Sequence, residues 1–220
     1  MMLDPHAAFS SLLASGPRPR LTWSGGGEQL ELSGRVCATW AAKVANLLVE
    51  EIDAGPNTRV HLDLPPHWRT VVWALGAWLT GSCLVLPDDG ADATPGPDGE
   101  PRPVASAPLD VVVTSRPGPW EETWAAGRAR PELAVAVPLP SFAMRWPGDL
   151  ASGWLDGAVD VAAQPDALGP VAAFRPDAVA LAGAGWHAPF ADVTRAARVT
   201  PVAEVLALAA GASADVRGPR

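Results

Sequence analysis

Apolar positions recur at helical spacing in some stretches of this chain and alternate or run together in others, and the two patterns take turns. Asp4 stands before Pro5 as a capping carboxylate ahead of a proline at the first helical position, and the spacing through Leu13 predicts a short helix. Residues 20–24 and 29–32 alternate about Gly25, Gly26 and Gly27, the pattern of a β-hairpin with a glycine turn. Ser33 can cap the next helix, in which Val36, Trp40, Val44, Leu47 and Leu48 form one stripe, and Gly55, Pro56 and Asn57 end it. Residues 59–64 read as a strand. Pro65 and Pro66 then open a helix with Val71, Val72, Leu75, Trp78 and Leu79, which Gly81 stops before a buried strand at 82–86. Strand, helix, strand in this order predicts a right-handed βαβ unit.

Residues 88–108 are rich in Asp, Gly, Pro and Ala without periodicity and predict a long mobile loop. Beyond it come a strand at 109–114, a short helix at 120–126, a buried strand at 133–139 and an irregular connection at 141–148. A weak helix is predicted at 149–163, a short strand at 178–182, helical stretches at 190–197 and 202–210, and a frayed tail from Gly211. The expected fold class is α/β: a mainly parallel sheet with helices on both faces, in one domain over residues 1–220.

Hydrophobic residues make up 48% of the 220 and charged residues 18%, enough to build a core. The formal charge of −8 opposes binding to phosphate backbones or anionic membranes, so no nucleic-acid or membrane partner is expected. The apolar run at 71–87 is too short to span a bilayer and is broken by Gly76, Gly81 and Ser82. The first residues carry Asp4 and no basic segment, so no secretory signal is expected. Cys37 and Cys83 sit in apolar segments without ligand-like spacing and read as core thiols in a reducing cytoplasm.

The candidate chemistry is sparse. Gly183, Ala184, Gly185, Trp186, His187 and Ala188 match the G-x-G-x-x-A spacing of a dinucleotide turn, and Glu204 follows about twenty residues on. Gly183, Gly185, Trp186 and His187 are therefore the candidate ligand-binding residues, with a nucleotide-dependent oxidoreductase as one reading. Pro189 and Phe190 follow at once, which weakens it. His6, His61, His67 and His187 show no metal-ligand spacing; no metal site and no catalytic residue is assigned. His67, beside Trp68 at a helix start, reads as a capping or solvated histidine. Trp40, Trp73 and Trp78 read as core, whereas Trp120, Trp124, Trp146, Trp154 and Trp186 lie in less periodic segments suited to a ligand pocket or an interface.

Three stretches carry a family resemblance. The first is residues 20–24, the glycines, and Leu30, Glu31, Leu32, Ser33, Gly34, Arg35 and Val36. The second is Ala45, Asn46, Leu47 and Leu48 ahead of Gly55 and the strand from Arg59. The third is residues 75–88, with Gly81, Pro87 and Asp88 and one extra residue between glycine and proline. Together they resemble the N-terminal part of the adenylate-forming superfamily of acyl-CoA synthetases and adenylation domains, and above all short, uncharacterised bacterial proteins that keep the front portion of that fold.

The resemblance implies that residues 176–197 occupy the slot of the family's ATP phosphate loop. That slot holds Ala182, Gly183, Ala184, Gly185, Trp186 and His187, with no hydroxyl and no lysine, and the family's later nucleotide and lysine segments are missing. What it implies is thus a non-catalytic pseudoenzyme, a small-ligand-binding or protein-interaction module with AMP or ATP as the only cofactor suggested. The alternative is one half of a split acyl-adenylating enzyme completed by a partner chain. A homodimer fits either reading, and a ligand would sit at the carboxyl ends of the strands.

Overall fold

A computed structural model describes residues 2–86, 108–183, 186–193 and 202–218. Helix α1 (Pro5–Ser15) starts where Asp4 accepts the backbone N–H groups of His6 and Ala7. Strands β1 (Pro19–Gly25) and β2 (Glu28–Ser33) form the expected hairpin, its turn made by Gly26 and Gly27 at φ of 55° and 80°. Ser33 caps α2 (Gly34–Ile52) through Val36 N–H. The βαβ unit follows as β3 (Arg59–Asp63), α3 (Trp68–Leu79) and β4 (Cys83–Val85).

Further along lie β5 (Val111–Thr114), α4 (Pro117–Ala125), β6 (Leu133–Ala136), β7 (Trp154–Asp156) and α5 (Val159–Ala163). Strands β8 (Val179–Gly183) and β9 (Trp186–Pro189), helix α6 (Val202–Ala209) and β10 (Ala214–Arg217) complete the described elements. The main sheet has the order β7-β6-β5-β3-β4-β8-β9, parallel throughout except for the antiparallel β8–β9 pair. A smaller sheet has the order β10-β1-β2.

Alternation along the strands sends side chains to two cores. Val111, Val113 and Val135 join the large core shared with α1, α2, α3 and α6, while Val112, Ala134 and Ala136 meet Trp120 and Trp154 on the opposite face. Every residue of α3 is buried, because α2 and α6 pack on it as well as β3 and β4. Its contact with α2 needs Gly76: a Cβ there would stand 2.5 Å from Val44 Cγ1 and 2.9 Å from the Ala41 carbonyl. Trp78, fully buried, satisfies its indole N–H on the Ala180 carbonyl at 2.9 Å and so ties α3 to β8.

Three expectations are corrected. Residues 149–163 are not one weak helix; β7 pairs with β6, and Asp156 then starts α5 by accepting the N–H groups of Ala158 and Val159. The helix expected at 190–197 is preceded by strand β9, residues 191–193 form turns, and 194–197 lie outside the described residues. The tail expected to fray from Gly211 instead supplies β10, paired in parallel with β1 from Leu21↔Ala214 to Ser24↔Arg217. Arg20 anchors this return, donating from Nη2 to the Leu208 carbonyl in the last turn of α6 (2.8 Å) and from Nε to the Ala212 carbonyl just past its end (3.2 Å). In all three, pairing partners distant in sequence override a weak local pattern. Of the loop expected at 88–108, all but Pro108 lies outside the described residues.

Candidate functional site

The carboxyl ends of β3 and β6 face the β1–β2 hairpin, and α3 begins there with His67, Trp68 and Arg69. Pro65 and Pro66 end β3, so the chain turns before the helix starts. His67 is the N-cap: its Nδ1 accepts the Arg69 backbone N–H at 3.1 Å, the capping role read from the sequence. Arg69 then falls in the first turn of a mostly apolar helix, and the residue is 4% exposed.

The Arg69 side chain lies over two indoles, its Cζ 4.6 Å from the ring of Trp68 and 5.8 Å from that of Trp40. Its Nη2 donates to the Ala143 carbonyl at 3.0 Å, and its buried Nε has no hydrogen-bond partner. Asp156 favours the charge, yet its carboxylate is held by the N–H groups of Trp146 (2.7 Å) and Ala158 (2.9 Å). No carboxylate pairs with Arg69 among the described residues. Burial pushes its pKa down to about 10, so it remains a cation at neutral pH.

This cation lines a cavity of about 330 Å³ walled by Leu30, Trp40, Trp68, Phe142 and Met144. Such an arrangement, an apolar slot with one buried unpaired cation, can take a small molecule with an apolar body and an anionic head. Ser141, on the same wall, donates its backbone N–H to Glu28 Oε2 at 3.1 Å and so links the 141–146 connection to β2.

Of the residues expected to bind ligand, Gly183 ends β8 and Trp186 and His187 start β9, while Gly185 lies outside the described residues. The element after the glycines is an antiparallel strand, with Ala182 paired to His187, so the helix N-terminus that a dinucleotide turn requires is absent there. Gly183 serves packing instead: a Cβ on it would lie 2.5 Å from Trp186 Nε1. Neither Trp186 nor His187 lines the Arg69 cavity. Among the described residues no group of His, Cys, Asp or Glu is arranged to hold a metal, and no helix is long and apolar enough to cross a membrane. Trp120, Trp124 and Trp154 pack in a row with tilted rings, and Arg130 lies over Trp124 at 4.5 Å.

The sequence reading missed Arg69. The available signal was a lone basic residue between Trp68 and a run of apolar helix positions, where a buried charge needs a reason.

Comparison with known proteins agrees with the architecture. No family model matches the chain. A TIGR03089 family protein of Mycobacterium tuberculosis is 42% identical over 93 residues, 41% of this chain and 36% of that protein. An acyl-CoA synthetase from Brucella canis superposes on 100% of this chain with a TM-score of 0.69 at 17% identity. The N-terminal subdomain of Klebsiella oxytoca NpsA, solved with 3-hydroxybenzoyl-AMSN, matches 82% of it at 0.52 and 12%. The chain spans 44% and 37% of those two solved chains. It therefore has the fold of the front part of an acyl-CoA synthetase-like, adenylate-forming enzyme, as the sequence resemblance implied.

Proposed function

We propose that the chain is a non-catalytic binding module for a small organic acid, held with its carboxylate on Arg69 and its apolar body between Trp40, Trp68 and Met144. The observation that carries this reading is Arg69, 4% exposed, whose Nε has no hydrogen-bond partner and whose charge has no carboxylate in contact among the described residues. A buried cation left without an anion costs several kcal/mol, on the order of what an incoming carboxylate would recover. The aryl-acyl group on the ligand of the NpsA subdomain has the same shape of chemistry, an aromatic ring on a carboxyl-derived carbon. The β8–β9 hairpin adds no lysine or hydroxyl for phosphates among its described residues, so the acid rather than AMP or ATP is the expected ligand. A cytoplasmic location fits the two buried free thiols, Cys37 and Cys83.

Calorimetric titration with benzoate, octanoate, AMP and Mg-ATP tests this. Saturable binding of an acid that Arg69→Met removes supports it; heat from AMP or Mg-ATP alone overturns it.

A second reading, half of an adenylating enzyme completed by a partner chain or a second copy, is favoured by Phe142 and Met144, which stand 81% and 86% exposed at the cavity rim. A patch of that kind is where further protein would pack. Sedimentation shows which reading holds: a monomer that binds acid supports the module, and self-association lost in Phe142→Ser supports the interface.

A further inference from the structure

The connection at 140–146 lies outside helices and strands, yet it walls the Arg69 cavity through Ser141, Phe142, Ala143 and Met144. Three charged side chains from three separate elements hold it. At its start, Glu28 Oε2 accepts the Ser141 N–H at 3.1 Å, and at its end Asp156 Oδ2 accepts the Trp146 N–H at 2.7 Å. Between these two bonds the Ala143 carbonyl accepts from Arg69 Nη2 at 3.0 Å, while the Ala143 N–H closes a turn on the Pro140 carbonyl at 2.9 Å.

Both carboxylates are thus bonded to backbone N–H groups, and neither forms an ion pair with Arg69. The guanidinium is seated by the Ala143 carbonyl and by the rings of Trp68 and Trp40. An arginine side chain has many rotamers to lose, so a seat formed in advance leaves less to order when an anion arrives. That seat depends on where the Ala143 carbonyl stands. No strand ladder fixes it, and the charge-assisted bonds at Ser141 and Trp146 do so instead.

Glu28 is well placed for this. It opens β2 and pairs with Gly25 across the glycine turn, so its backbone is fixed by the last pair of the hairpin ladder. It does not line the Arg69 cavity and can act there only through Ser141. Asp156 also starts α5 through Ala158 and Val159, so changing it would disturb the wall that Ala158 and Ala162 supply. Glu28 caps no helix.

We propose that Glu28 is a positioning residue of the acid site: by holding Ser141 it keeps the Ala143 carbonyl where it seats Arg69, and so it strengthens the binding of an anion whose charge it shares. This rests on the reading of Arg69 as the seat of an acid. The sign of the effect separates position from charge. Acting through charge alone, Glu28 would repel the ligand carboxylate, and its removal would tighten binding. Acting through Ser141, its removal loosens binding.

The test is a titration of ¹⁵N-labelled parent, Glu28→Ala and Glu28→Gln with benzoate at pH 7, read on the indole N–H signals of Trp40 and Trp68. The Trp78 indole, held on Ala180 in the main core, is the reference for an intact fold. Glu28→Ala should weaken benzoate by at least about fivefold. Glu28→Gln keeps an acceptor for the Ser141 N–H and should bind within about twofold of the parent. Before any ligand is added, Glu28→Ala should move the Trp40 and Trp68 signals towards their positions in Arg69→Met, and Glu28→Gln should leave them in place. Tighter or unchanged benzoate binding in Glu28→Ala, equal weakening in the two variants, or unmoved Trp40 and Trp68 signals in ligand-free Glu28→Ala overturns the proposal. A parent that binds no benzoate overturns the acid reading instead, and the ligand-free signals then decide whether Glu28 seats Arg69.

Discussion

Asp63 and Thr114 are partners across the β3–β5 ladder, and the Thr114 hydroxyl donates to Asp63 Oδ2 at 2.8 Å. The same oxygen receives the Trp120 indole N–H at 3.1 Å, and Arg116 approaches Oδ1 at 3.4 Å. One carboxylate thus gathers the end of β5, the turn after it and the ring that anchors α4. It does so where β4 and β5 leave on opposite sides of β3, the place where an open sheet would otherwise leave a crevice. Asp63→Leu strands the Thr114 and Trp120 donors and should cost about 2–4 kcal/mol in urea unfolding. Arg116→Ala, at a guanidinium 44% exposed, should cost under about 1 kcal/mol. Equal losses in the two variants would show that Asp63 acts through its charge on Arg116 and not through the buried donors.

Arg69 should separate binding from stability. Replacing a buried cation by an apolar side chain of similar length is often neutral or stabilising. Arg69→Met should therefore leave the melting temperature unchanged or raise it, while removing acid binding at Trp40 and Trp68. A fall of many degrees would mean that the bond to Ala143 and the contacts with the two indoles outweigh the cost of the buried charge.

What could be read in the sequence follows from the range of the forces involved. The Asp4 cap, the glycine hairpin, the Ser33 cap and the βαβ unit are local, set by residues within a few positions of each other, and the structure has them. Strand β7 and strand β10 depend on partners that no local pattern reveals: β7 on β6, and β10 on β1 almost two hundred residues away. The site divides in the same way. His67 could be seen as a cap because Nδ1 serves its own helix, but Glu28, Ser141 and Arg69 come together through the packing of a hairpin, a connection and a helix that are far apart in the chain. Gly183 drew attention through a spacing that a glycine-rich chain produces readily, and its place in a β-hairpin against Trp186 removes the phosphate geometry.

Packing between α2 and α3 makes Gly76 intolerant of a single methyl group. The added carbon would meet Val44 at 2.5 Å and a backbone carbonyl of α2 at 2.9 Å, and the backbone cannot step aside as a side-chain tip would. Gly76→Ala should destabilise by about 1–3 kcal/mol despite alanine's better helix propensity. Paired with Val44→Ala, which removes the nearer contact, the loss should shrink, and a double-mutant cycle in urea would read that coupling. Additive losses would place the strain on the Ala41 carbonyl instead.

Acid should weaken the fold through His67. Burial pushes its pKa down from 6.5 to about 4, with the Arg69 charge acting in the same direction and Glu28 and the Leu139 carbonyl opposing. The unfolded chain then binds more protons than the native one between those values, so stability is full above about pH 6.5 and falls as the pH drops towards 4. The full span of the shift corresponds to roughly 3 kcal/mol, an upper bound for one histidine. Glu28 adds to the loss further down: its hydrogen bonds to Ser141 hold its pKa below 4.5, so its contribution goes as the pH falls below that value. His67→Asn removes the titrating ring while keeping a cap acceptor. Its unfolding free energy should therefore be nearly flat from pH 6.5 to 5, where the parent's declines, and its remaining acid sensitivity should set in only where Glu28 takes up its proton. Parallel pH profiles for the two proteins would show that the acid transition belongs to other groups and that His67 takes up its proton without cost to the fold.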